Sequence, residues 1–91
     1  METRGRVDDG AMPRFLLHHR HAAHECASAY AAWKGFSSPL RHHGVPSSCV
    51  EGGHEVWWQV SADGFEAARA LLPDYVAERT DVIAIREVQI P

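Results

Sequence analysis

Phe15-Leu-Leu-His-His-Arg-His-Ala-Ala-His-Glu-Cys26 is the stretch from which the rest of the chain is read. Three apolar residues lead into four of the chain's seven histidines (His18, His19, His21, His24) and one of its two cysteines. Residues 14–21 read as a strand, because side chains alternate between the two faces of an extended chain. Phe15, Leu17, His19 and His21 then share one face, and Leu16, His18 and Arg20 the other. Apolar residues on both faces point to a central strand.

A helix is expected at residues 24–34. It is rich in alanine (Ala27, Ala29, Ala31, Ala32), with Cys26, Tyr30 and Trp33 recurring at helical spacing. Gly35 is placed to stop it. A loop over residues 36–45 carries Ser37-Ser38-Pro39 and Arg41-His42-His43-Gly44. A hairpin follows, with strands at 46–51 and 54–61 around the turn Gly52-Gly53, where positive φ is tolerated. Val56, Trp58 and Val60 fall on one face of the second strand, and Glu55, Trp57 and Gln59 on the other. Asp63-Gly-Phe-Glu66 reads as a capping box opening a helix with Phe65, Ala68 and Leu72 on its inner side. Pro73 breaks that helix. A short helical piece at 74–79 and a strand at 82–90, with Val88 and Ile90 as its apolar pair, complete the chain.

The order is β-α-β-β-α-β, the ferredoxin-like α+β pattern of a four-stranded antiparallel sheet with two helices on one face. Its first and third strands lie in the middle, and these are the two that carry apolar residues on both faces. Residues 1–12 read as a flexible leader, and residues 13–91 as one domain.

In this element order, in the Gly52-Gly53 hairpin and in the terminal Glu87-Val-Gln-Ile-Pro91, residues 13–91 resemble the small ferredoxin-like proteins that pair into dimeric α+β barrels. The likeness is nearest to small uncharacterised bacterial families of that superfamily, one of which includes a nickel-binding protein. Monooxygenases, muconolactone isomerases and haem-handling enzymes are more distant relatives. The resemblance implies the fold and a homodimer. It carries over no catalytic motif.

Ninety-one residues with a formal charge of −3 argue against a general nucleic-acid partner, because phosphate-binding domains usually carry a basic excess. Eight arginines and one lysine are spread without a cluster. No apolar run approaches a membrane span, and the first ten residues have no apolar segment of a secretory signal. Two cysteines without such a signal are expected to be free thiols in the cytoplasm.

Two constellations compete for function. The first is the open sheet face, on which His18, Arg20, Glu55, Trp57 and Gln59 would line a cavity between two subunits, with Leu16 and Glu87 beside them. There His18 and Glu55 would handle protons, Arg20 would meet an anion and Trp57 would stack on a small-molecule ligand. Isomerase- or oxygenase-like chemistry is the extension of that reading. A wet dimer interface is the plainer alternative. The second is a metal site. His19 and His21 stand about 7 Å apart along one strand face and need a third ligand. Cys26 is the candidate near in sequence, and His54 or Cys49 can approach in space. Such donors suit nickel, zinc or copper. The plainer alternative makes His19 a satisfied core histidine and leaves His21 and His24 in solvent. Because His18 and His19 point to opposite faces, only a bulge near Arg20 would merge the two sites. Cys26 reads better as a small buried side chain than as a nucleophile paired with His24. His42-His43 reads as a solvated turn or a lid.

Overall fold

The computed structural model describes residues 12–91, so the expected leader falls outside the described residues but for Met12. The chain is a small α+β fold. Strand β1 (Arg14–Arg20) is followed by a 3-10 turn (Ala23–Glu25) and helix α1 (Cys26–Ala31). Strand β2 (Glu55–Ser61), helices α2 (Phe65–Arg69) and α3 (Asp74–Ala77), and strand β3 (Thr80–Ile85) follow. Among the described residues the sheet has three strands, in the order β2-β1-β3, with both pairings antiparallel.

The central place of β1 follows from its sequence. Phe15 and Leu17 are buried under the helices, and His19 is buried beside them. Val56, Trp58 and Val60 of β2 join the same core with Ala68, Leu72 and Val76 of the helical layer. Burying one such aliphatic side chain contributes about 1.5–3 kcal/mol. The opposite face of β1 carries Leu16, His18 and Arg20, which are only partly covered or exposed. Pairing from Arg14 to Arg20 runs without a break, so no bulge brings His18 and His19 together.

Four expectations change. The strand expected at 46–51 is reduced to one bridge, Ser47 to Val56, flanked by bonds from Ser48 N–H to Glu55 O (2.8 Å) and Trp57 N–H to Pro46 O (3.0 Å). Pro46 has no N–H to extend the ladder, and residues 49–51 are spent in the turn. The last strand is Thr80–Ile85 rather than 82–90, and Val88 and Ile90 are 73% and 79% exposed. Its partner strand ends where Arg14 meets Ile85, and Pro13 beyond it offers no donor. Asp63 does not cap α2, since the cap position is Gly64 and no side-chain bond is made there. A carboxylate reaches back at the other helical start instead, where Ala22 N–H donates to Glu25 Oε1 at 2.8 Å. The helix expected at 24–34 is a 3-10 turn plus α1, continued by loose turns to Gly35, whose φ of 75° ends it as expected.

Candidate metal centre

His21 sits one residue past the end of β1, and its N–H donates to His54 O at 3.1 Å, one residue before β2 begins. The ends of two neighbouring strands therefore hold these two histidines side by side, with ring centroids 5.4 Å apart. Cys26 opens α1, five residues after His21. Cys49 lies in the turn five residues before His54. The group is thus two pairs of mirrored spacing, His-x4-Cys and Cys-x4-His.

One ligand atom from each of His21, Cys26, Cys49 and His54 lies within 4.8 Å of the others. The Cys49 Sγ to His21 Nε2 distance is 3.7 Å. With zinc–sulfur near 2.3 Å and zinc–nitrogen near 2.0–2.1 Å, the sulfur-to-nitrogen edge of a tetrahedral site is about 3.6 Å. Neither cysteine is in a disulfide. The Nδ1 atom of His54 is buried and has no hydrogen-bond partner among the described residues. Leaving a buried polar atom unpaired costs about 1–3 kcal/mol, which a metal ion at that nitrogen would offset.

The turn between Cys49 and His54 is built for this approach. Gly52 has φ 91° and His54 itself has φ 56°. A left-handed conformation costs a non-glycine residue on the order of 1–2 kcal/mol. Gly53 donates to Ser48 O at 2.8 Å, and a Cβ on it would run into the Ser48 side chain. Ser48 Oγ in turn accepts from Glu55 N–H at 3.1 Å, and Ser47 Oγ from Cys49 N–H at 3.1 Å.

His19 stands outside the four-residue group and supports it. Its Nδ1 lies 3.1 Å from Thr80 Oγ1 and 3.3 Å from Val76 O. A carbonyl only accepts, and the Thr80 hydroxyl already donates to Val76 O at 2.6 Å, so the Nδ1 of His19 carries a proton. Burial lowers the pKa of His19, and that of His21 as well, so both rings favour the neutral form. The Nε2 of neutral His19 then accepts from Nδ1–H of His21, 2.9 Å away. This relay leaves the lone pair of His21 Nε2 facing Cys49. A histidine ligand held through its second nitrogen is the usual outer support of a metal site.

Two further groups brace the centre. The Tyr30 hydroxyl lies beside Cys49, and that hydrogen bond, followed by burial, raises the phenol's pKa. Glu25, adjacent to Cys26, takes Nε and Nη2 of Arg79 on one oxygen, both at 3.0 Å. Its pKa is lowered, first by the Ala22 N–H and then by Arg79.

Of the residues expected to bind metal, His21 and Cys26 are brought together, and His19 is placed behind His21. His21, expected in solvent under the plainer alternative, is 8% exposed, whereas His24 is exposed. The other two members, Cys49 and His54, were each expected only as an alternative third ligand approaching in space, and the fold brings both beside His21 and Cys26.

The open face gathers a separate set. His18 Nε2 lies 2.5 Å from Glu55 Oε1, and the His18 ring stacks on Trp57 at 5.2 Å and 13°. Arg20 bonds Asp81 (3.1 Å) and reaches His18 Nδ1 (3.3 Å). A guanidinium only donates, so His18 Nδ1 accepts and Nε2–H points at Glu55. Gln59 is exposed and accepts from Arg14 at 3.3 Å. Arg20 and Gln59 are thus engaged with neighbours on the sheet.

No family model, curated protein or solved structure matches this chain. No helix among the described residues is long and apolar enough to cross a membrane.

Proposed function

We propose that this protein binds a transition-metal ion, zinc first by ligand chemistry, through His21, Cys26, Cys49 and His54. The observation that carries the reading is the convergence of two imidazoles and two thiols within 4.8 Å, one of them with a buried nitrogen that has no partner among the described residues. Two sulfur and two nitrogen donors make a closed tetrahedral set for zinc, and the same donors suit copper(I). Nickel(II) prefers a flatter arrangement and ranks behind. A closed set has no open position for substrate, so the bound ion acts in holding the fold or in metal handling. Binding strips the protons from both thiols, and the relay from Val76 through His19 readies the His21 nitrogen. The ion ties the end of β1, the start of α1 and the turn before β2 in a domain with short helices, so affinity adds to folding stability.

The test is a zinc titration of untagged protein against a chromophoric chelator. Cys26→Ser, Cys49→Ser, His21→Ala and His54→Ala each weaken binding by about a hundredfold or more, while His24→Ala and His42→Ala leave it unchanged. Equal affinity in all six variants would end this reading.

A second reading concerns the open sheet face, and the short His18–Glu55 contact under a stacked Trp57 favours it. In it two copies pack these faces together as a homodimer and enclose a small-molecule ligand near His18. Trp57→Asp then converts a dimer to a monomer in light scattering, and a wild-type monomer would remove the reading.

A further inference from the structure

On the helical side of the sheet, between α1 and the loop that follows it, lies a cavity of about 370 Å³. It is separate from the open face, and of the four metal-centre residues only His21 reaches its wall. The body of the cavity is apolar, formed by Leu40, Val45, Val56 and Val76 with the two aromatic rings of Trp33 and Trp58. Trp33 and Trp58, 5.8 Å apart at 45°, both line it.

The polar lining carries one fixed charge, Arg41, beside the imidazoles of His19, His21, His42 and His43. The loop contributes Arg41, His42 and His43, and the described residues that line the cavity include no aspartate or glutamate. Arg41 is half-buried and tethered, with Nη1 donating to Phe36 O at 3.2 Å, which uses one of its five N–H donors. A fixed guanidinium at the rim of an apolar cavity suits a carboxylate better than a neutral group, because fewer competing waters surround it. His42 sits at φ 67° in the exposed loop. The volume lies at the small end of ligand pockets, room for roughly a dozen non-hydrogen atoms at about 30 Å³ of liquid-like volume each.

We infer that this cavity binds a small organic acid, with an aromatic or branched apolar body against Trp33 and Trp58 and its carboxylate at Arg41. A cation is disfavoured by the Arg41 guanidinium, and a sugar or nucleotide by the apolar walls. The metal reading is not needed for this site: His19, His21 and Tyr30 also line the cavity, but the contacts argued here fall to Arg41, Trp33 and Trp58.

The experiment is NMR-detected titration of the full-length protein, with and without zinc, using 3-phenylpropanoate, 4-methylpentanoate and 3-phenylpropanamide. Saturable shifts of the Trp33 and Trp58 indole signals are expected with both acids, and 3-phenylpropanoate should bind at least tenfold more tightly than its amide. Arg41→Gln should remove the difference between acid and amide, and Val45→Trp should block both by filling the cavity. Absence of saturable shifts with both acids overturns the inference. Equal binding of acid and amide by the unmodified protein overturns the carboxylate assignment, whatever the variants do. Shifts centred on Trp57 instead would move binding to the open face and equally refute the cavity.

Discussion

His19 Nε2 and His21 Nδ1 face each other across 2.9 Å, and only the His21 ring goes on to meet the cysteines. Two histidines two apart on a strand therefore have different tasks. One is anchored to Val76 and Thr80 and sets the tautomer, and the other presents the lone pair.

Replacing His19 should thus loosen the centre without removing a ligand. His19→Ala is expected to weaken zinc binding about ten- to a hundredfold, the usual range for an outer support of a metal ligand. Chelator competition measures the loss. The bound-metal spectrum should keep the same two sulfurs, whereas a change in sulfur count would make His19 a ligand.

Metal-free protein should lose stability on mild acidification. Burial lowers the pKa of both His19 and His21 from 6.5. The unfolded chain takes up these protons first, so their contribution is present above about pH 6.5 and is lost as pH falls through the folded values. Thermal melts from about pH 7.5 to about pH 5 should show a falling midpoint. The double variant His19→Ala/His21→Ala should flatten that slope.

Glu25 gives a second, more acidic transition. Its pKa is lowered by the Ala22 N–H and by Arg79, so its contribution holds above 4.5 and disappears as pH falls through its depressed value. Glu25→Gln should lower the melting temperature at neutral pH, and the difference from the unmodified protein should close in acid. Circular-dichroism melts over that range check it.

Much of this architecture was legible in the amino-acid order. Alternation in Phe15–His21 and Val56–Val60 placed the core face and the open face correctly, because burial on one side of a sheet leaves a period-two record. Gly35 and Gly52-Gly53 marked real chain reversals. Strand ends were less visible. Val88 and Ile90 look like strand residues, yet the partner strand runs out at Pro13, and pairing is a property of two segments at once. The proposed metal centre was half visible for the same reason. His21 and Cys26 are neighbours in sequence, but Cys49 and His54 join them only through a turn whose positive-φ His54 has no periodic signature. For His19, spacing cannot reveal that Nδ1 lies against Val76 and Thr80.

The turn itself can be tested. A Cβ at position 53 would collide with Ser48, whose backbone and hydroxyl organise the approach of Cys49. Gly53→Ala should cost about 1–3 kcal/mol in denaturant unfolding, the range for forcing extra volume into a packed place. It should also weaken metal binding, whereas Gly44→Ala, where a Cβ would meet open space, should do neither.

The most direct measurement of the central claim is the absorption spectrum of the untagged protein loaded with cobalt(II) in place of zinc. Two thiolates and two imidazoles in a tetrahedral set predict intense visible d–d bands with sulfur-to-cobalt charge transfer in the near ultraviolet. One equivalent of zinc should abolish both, and Cys26→Ser or Cys49→Ser should halve the charge-transfer band. A weak octahedral spectrum without charge transfer, or no uptake of cobalt at one equivalent, would contradict a metal centre at His21, Cys26, Cys49 and His54.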